Sequence, residues 1–273
     1  MGLLKIFIEP LFVFAYLSIF FILGGIVLDK IQMKSNQYLY NGLGYIGYIL
    51  TGLGTIVHEL SHLLFVVLFG MKPTDVKLLR PIAAYRDGKL GYVKYSYNKN
   101  SLFHKVGLIF VGVAPIIGGT IAMIVLTKIF MPQLYSTLIG NVNSLANTTG
   151  SFNISIFRDL LDFVISFIYS MFSDFNISSL KSWAYLFLIF SISSHMSLSM
   201  ADIRGSLSGV PTVYLLFFLL NLLLIATGQS VIDYTYIVTK INVFVVTFMS
   251  ISIIFSTVSL ALSFIFSNIV SKK

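Results

Sequence analysis

The sequence predicts an all-α polytopic membrane protein with about six transmembrane helices, and its composition and apolar runs support this fold class. Only 10% of the 273 residues are charged and 57% are hydrophobic, whereas soluble domains carry about 25% charged residues. The mean hydropathy is +0.92, and several apolar runs are long enough to cross about 30 Å of hydrocarbon. These features exclude a soluble protein, so we expect residues 1–273 to form a single membrane domain.

Apolar stretches of the length that a bilayer requires recur along the chain. They lie at residues 6–28, 42–70, 105–131, 182–203, 210–228 and 240–267. The first is too long for a signal-peptide core and lacks a small-residue cleavage site, so we expect a retained span. Region 132–181 begins with a polar stretch and continues into 157–175, where apolar and charged residues alternate. There we expect an extracytosolic loop and an interfacial amphipathic helix, with a re-entrant segment as the alternative.

The distribution of basic residues predicts the orientation of the chain. The net charge is +8, which in a membrane protein normally reflects loop cations that fix topology, so we expect no nucleic-acid partner. With six spans, twelve Lys and Arg fall on one side and six on the other. We therefore expect an integral, multi-pass protein of the cell membrane, with both termini and the loop 71–104 in the cytosol.

The loop 71–104 has the pattern of a β-hairpin. Strand-like residues at 76–79 and 90–97 flank Asp87 and Gly88, a dipeptide suited to tight turns. The alternative is a solvated basic loop whose charges serve topology alone.

The second span contains the pattern H-E-x-x-H, as His58-Glu59-Leu60-Ser61-His62. Four residues on a helix bring both imidazoles to one face, where they can bind one Zn²⁺, while Glu59 can act on water at the metal. The chain has no cysteine, so any metal must be held by histidine and carboxylate. Alternatively, the three polar side chains pair with one another or line a water-filled cavity, but ionisable groups inside a span usually mark function.

A catalytic zinc site needs a third protein ligand. The candidates in or near spans are Glu9, His104, His195 and Asp202. Asp202 is the best choice, because it lies at the end of the predicted fourth span, at nearly the same depth in the bilayer as the motif. Alternatively, Asp202 pairs with Arg204. His195 lies about two turns deeper on the same face of that helix. It could be a ligand, a hydrogen-bond donor near the site or simply a packed histidine.

The chain resembles the site-2 protease family of intramembrane zinc metalloproteases over roughly residues 50–205. The resemblance rests on the motif in a span, the following strand-like loop, the Gly- and Pro-containing residues 112–119 and the aspartate at 202. It implies a three-helix metalloprotease core at 42–205. The family's Asn-x-x-Pro and Leu-Asp-Gly patterns are replaced here by His195 and Asp-Ile-Arg-Gly.

The resemblance implies an intramembrane zinc endopeptidase acting on a single-span membrane protein or a signal-peptide-like segment. His58, His62 and Asp202 would hold Zn²⁺, Glu59 would act as the base, and His195 would donate a hydrogen bond to the oxyanion. A hairpin edge could pair with an unwound substrate strand. The alternative is a membrane transporter or sensor that binds zinc without peptidase activity.

Overall fold

The computed structural model describes residues 3–148, 155–227 and 232–270, and within them the chain is mainly helical. The helices are α1 Leu3–Leu43, α2 Tyr45–Leu68, α3 Pro81–Asp87, α4 Leu102–Phe130, α5 Pro132–Thr148, α6 Ser155–Ser173, α7 Leu180–Ser193, α8 Met200–Leu207, α9 Val210–Ala226 and α10 Ile232–Val270. Two strands, β1 Lys72–Lys77 and β2 Tyr92–Ser96, lie between α2 and α4. This mainly helical architecture with one small sheet agrees with the predicted fold class.

The number of spans differs from the prediction. Within the described ranges, α1, α2, α4 and α10 are long and apolar enough to cross a bilayer, and the pair α8–α9, bent by 51°, adds a fifth if it counts as one span. The predicted fourth span, 182–203, is broken after Ser193. Helix α7 has 14 residues, or about 21 Å at 1.5 Å per residue, which is shorter than the hydrocarbon core. The long apolar helices are compatible with an integral membrane protein.

Helices α1 and α10 run parallel to each other. The Asn242 amide donates to the Tyr16 carbonyl (2.9 Å), and Ser35 donates to Ser259 (2.8 Å), so residue numbers rise together along both helices. Their N-terminal ends therefore share one end of the bundle. Six spans with both termini in the cytosol would make the first and last spans antiparallel. The observed parallel pair differs from that expectation. Which side of a membrane each end faces stays a prediction.

Helix α2 ends in a Schellman motif that turns the chain into β1. Gly70 adopts φ = 66°, its N–H donates to the Val67 carbonyl (3.0 Å), and the Met71 N–H donates to the Val66 carbonyl (2.9 Å). Met71 and Val66 also pack in one buried cluster, the apolar contact that accompanies this motif.

The two strands pair antiparallel, with Lys72 opposite Ser96 and Lys77 opposite Tyr92. The predicted tight turn at Asp87 and Gly88 was wrong, because α3 occupies the connection. The sequence shows why: Pro81 opens the helix, and Gly88 caps it with φ = 71°, the proline-first, glycine-last pattern of a short helix.

The hairpin lies beside α2. A Cβ placed on Gly52 would stand 3.4 Å from the Leu79 side chain, and Tyr40 near the end of α1 packs against Ala84 and Leu90. The segment thus returns along α2 towards the α1–α2 turn. Its predicted cytosolic location is not tested by these contacts.

The predicted polar loop after α4 is helical over most of its length. Leu134, Leu138 and Val142, spaced four residues apart, are fully buried in the core, which explains why a segment rich in Asn, Ser and Thr forms α5. The predicted amphipathic helix 157–175 corresponds to α6, where Phe167 packs edge-on against Phe248 of α10. Residues 149–154 of the predicted loop lie outside the described ranges.

Candidate metal centre

Helix α2 presents two imidazole nitrogens at the separation that a zinc ion requires. The Nε2 atoms of His58 and His62 lie 3.2 Å apart, and the ring centroids are 4.8 Å apart. Two Zn–N bonds of about 2.05 Å at a tetrahedral angle give roughly 3.3 Å between the nitrogens. The spacing of the histidines therefore suits tetrahedral zinc.

Two backbone carbonyls fix the tautomer of both histidines. The Nδ1–H of His58 donates to the His195 carbonyl (2.7 Å), and the Nδ1–H of His62 donates to the Val111 carbonyl (2.8 Å). A ring that donates through Nδ1 keeps its lone pair on Nε2. Two such lone pairs facing each other at 3.2 Å repel unless a cation lies between them, so this donor arrangement fits a metal ion.

Asp202 offers a third candidate ligand atom. His58, His62 and Asp202 offer nitrogen and oxygen atoms that all lie within 4.8 Å of one another, and Asp202 Oδ1 is 3.6 Å from His62 Nε2. The other oxygen, Oδ2, accepts hydrogen bonds from the Ser199 N–H (2.9 Å) and hydroxyl (2.6 Å). This leaves Oδ1 free to face the histidines.

Asp202 comes from a different local structure than the sequence predicted. It lies in the first turn of α8, where Ser199 and Asp202 form a capping box, and not in the last turn of a span that ends at residue 203. Ser-x-x-Asp is itself a helix-start signal. Asp202 is thus a neighbour of the motif, as predicted, but it lies at the start of a helix and not at the end of one.

His195 contacts the centre through its backbone. Its carbonyl holds His58, whereas its ring Nδ1 lies 3.1 Å from where a Cβ on Gly54 would stand, one turn before His58. The group of three ligand atoms does not include the His195 ring. A direct catalytic role for His195 stays a prediction.

The other two ligand candidates are not part of this group. The Nδ1 of His104 accepts a hydrogen bond from the Asn98 N–H (2.8 Å) at the start of α4. The side chain of Glu9 lies outside what the structure describes.

Glu59 is buried beside the hairpin. It is 8% exposed, and a Cβ placed on Gly91 would stand 2.7 Å from its Cγ, so the start of β2 packs directly on this side chain. Further along β2, burial raises the pKa of the Tyr95 phenol, and the charge of nearby Asp202 acts in the same direction. Tyr95 therefore stays a neutral hydroxyl at physiological pH. Strand β2 thus begins beside the glutamate, and Tyr95 further along it is close enough to Asp202 to feel its charge.

Gln32 of α1 supports the connection at 194–199 between α7 and α8. Its side-chain amide donates to the Ser193 carbonyl (2.5 Å) and accepts from the Ser197 N–H (3.2 Å), on either side of the His195 carbonyl that holds His58. The sequence did not predict a role for Gln32. It lies beyond the predicted first span, 6–28, and no local pattern around it indicates a contact with a distant segment.

A comparison with protein families matches the part of the chain that carries this centre. Residues 52–157 match the DUF3267 family model, whose description is "Putative zincin peptidase". The match includes both histidines and Glu59, and ends before Asp202. It supports zinc metallopeptidase activity without indicating the site-2 protease family in particular. No curated protein and no solved structure matches the chain.

Proposed function

We propose that this protein is an intramembrane zinc endopeptidase that cleaves a transmembrane segment of another membrane protein. The observation that carries the proposal is the group of His58, His62 and Asp202 with ligand atoms within 4.8 Å, together with the buried Glu59 on the same helix. The location of that helix, among apolar helices long enough to cross a bilayer, makes a membrane-embedded substrate the fitting one.

The residues of this chain divide the chemistry among them. His58, His62 and Asp202 hold zinc, which when bound lowers the pKa of water and polarises a carbonyl. Glu59 accepts the proton of the attacking water and returns it to the leaving amine. Glutamate suits this role because it is not a ligand and its buried carboxylate keeps a fixed position.

The substrate must be partly unwound before it can be cut. In a helix the scissile carbonyl is engaged in a backbone hydrogen bond. We propose that the hairpin formed by β1 and β2 binds the unwound strand by edge pairing, because the sheet has only two strands and Gly91 adjoins Glu59. The substrate would be a single-span protein or a signal-peptide-like segment.

Glu59→Gln separates chemistry from metal binding. Fragments with new N-termini inside apolar segments should appear in membranes from cells with the native chain and disappear with the variant, while metal analysis finds equal zinc in both purified proteins. Asp159→Asn, which neutralises an exposed carboxylate on α6, is the matched control and should behave as the native chain.

Identical fragments from the native chain and from Glu59→Gln would contradict the peptidase proposal. Zinc uptake by proteoliposomes holding either protein would then support the alternative of a zinc transporter.

We further propose that the ends of the hairpin, where it joins α2 and α4, face the cytosol. A single cysteine at Asn98, in a chain without native cysteine, should react with an impermeant maleimide only after lysis, because Asn98 bonds to His104 at the start of α4, beside the C-terminal end of α2. Asp87 does not test the same side, since α3 packs near the α1–α2 turn, at the other end of α2. Labelling of Asn98 in intact cells would contradict the orientation.

A further inference from the structure

The carbonyl that orients His62 is available because of a proline. In an α-helix the carbonyl of residue 111 accepts from the N–H of residue 115, but residue 115 is Pro115, inside α4, and proline has no N–H. Val111 and Pro115 are both buried, so water does not replace the missing donor. An unpaired buried carbonyl is costly.

His62 supplies the missing donor. Its Nδ1–H lies 2.8 Å from the Val111 carbonyl, and the ring itself is buried. Each group therefore satisfies the other: the carbonyl gains a donor, and the imidazole is held with its lone pair on Nε2.

We propose that Pro115 is a positioning residue for the metal centre. By leaving the Val111 carbonyl without an intrahelical donor, Pro115 reserves it for His62 and so directs the Nε2 lone pair of His62 towards the metal.

The same turn of α4 also adjoins the helix that carries Asp202. A Cβ placed on Gly112 would stand 2.7 Å from the Asp202 carbonyl oxygen, so α4 and α8 touch there with no room for a side chain. Residues 111–115 thus contact two ligand-bearing helices, α2 and α8.

Two replacements of Pro115 separate the missing N–H from the shape of the ring. Pro115→Ala restores an N–H that competes with His62 for the Val111 carbonyl, and should weaken zinc binding about 10- to 100-fold, as loss of a ligand's outer partner does. Replacement of Pro115 by lactic acid gives a backbone ester that has neither ring nor N–H, and should bind zinc as the native chain does. Affinity is measured by chelator competition on the purified full-length chain.

A second readout is the tautomer of His62. In the zinc-free native chain, ¹⁵N spectra of labelled histidine should show His62 protonated at Nδ1, and Pro115→Ala should shift it towards Nε2. Pro132→Ala is the matched control, because Pro132 is the first residue of α5, where no intrahelical donor is lost.

Native zinc affinity in Pro115→Ala would overturn the proposal, and so would an equal loss in the alanine and ester variants. If Pro115→Ala does not fold, the ester variant decides: a folded ester variant that fails to bind zinc contradicts the inference. The inference rests on the zinc site of the proposed function and not on peptide hydrolysis. Failure of the native chain to bind zinc would refute that site itself, a distinct outcome.

Discussion

Two regions of different structure form the candidate metal centre. Helix α2 is its regular side, and the connection 194–199 with the first turn of α8 is its irregular side. Helix α2 sets the spacing of His58 and His62 by its own geometry, with Nε2 atoms 3.2 Å apart. The connection supplies the His195 carbonyl and leads to Asp202 in a conformation that no repeating pattern defines. It depends on a contact from outside, with Gln32 of α1, and on the cap that its own last residue, Ser199, makes with Asp202.

This difference teaches where the centre is vulnerable. A helix keeps two ligands in register through its many backbone bonds, whereas an irregular segment keeps its geometry only while each supporting contact persists. We therefore expect substitutions on the irregular side to lower zinc affinity by graded amounts. The loss should be largest at Asp202, smaller at the Ser199 cap and smallest at Gln32.

The largest effect is expected at the ligand on the irregular side. Asp202→Ala should lower zinc affinity by more than about 100-fold, beyond the 10- to 100-fold that loss of an outer partner costs. His195→Ala should leave zinc bound, because the contact with His58 is made by the backbone carbonyl, and should mainly slow turnover. Metal analysis and chelator competition on both variants check this. Loss of zinc in His195→Ala with retention in Asp202→Ala would reverse the assignment.

The regular side was predictable from the sequence and the irregular side only in part. H-E-x-x-H on a helix fixes the positions of His58 and His62 through the helical repeat alone, and the structure brings both imidazoles together as expected. Asp202 was correctly grouped with them, but the prediction that it ends a span was wrong. An apolar run does not reveal where a helix breaks inside it, although the Ser-x-x-Asp signal at Ser199 marked the new start.

The remaining differences have a common physical cause, since they depend on contacts between distant segments. The predicted turn at Asp87 and Gly88 was wrong because α3 forms between the strands. The Gln32 contacts join positions more than 160 residues apart in the sequence, and no local pattern encodes such a contact. The predicted hairpin strands, by contrast, overlap the observed β1 and β2.

The regular side can be tested without touching a ligand. In Gly91→Ala, the new Cβ would stand 2.7 Å from Glu59 Cγ and 3.0 Å from the Leu78 carbonyl oxygen, so either Glu59 or the hairpin beside it must move. Turnover should fall about 10- to 100-fold, as small misplacements of catalytic groups cause, while zinc affinity stays native. Gly140→Ala on α5 is the control, because no described atom lies within 4 Å of its Cβ position. Parallel loss of zinc and turnover in Gly91→Ala would mean that the hairpin supports the ligands and not Glu59 alone.

The cap of α8 should matter less than the ligand it positions. Ser199→Ala removes the hydroxyl that donates to Asp202 Oδ2 (2.6 Å), but the backbone N–H of residue 199 remains, so zinc affinity should fall about 10-fold. Ser199→Thr should restore it. Ser101→Ala removes the cap of α4 at a similar stability cost of about 1 kcal/mol, and should leave zinc affinity unchanged. Equal zinc loss in the two alanine variants would show that the effect is one of general stability.

The smallest effect is expected at Gln32, which touches no ligand. Gln32→Leu keeps most of the side-chain volume but leaves the Ser193 carbonyl and the Ser197 N–H without their partner, so the connection that carries the His195 carbonyl loosens. Because the change reaches His58 through one intervening residue, zinc affinity should fall by less than about 10-fold, below the range for a ligand's direct partner. Ser35→Ala is the control: it also removes a buried bond between α1 and α10, to Ser259, but does not reach the connection. Thermal unfolding should show a loss of stability in both variants, whereas chelator competition should show weaker zinc binding in Gln32→Leu alone. Equal zinc affinity in the two would mean that the irregular side keeps its geometry without α1, and that the contrast with α2 is smaller than the contacts indicate.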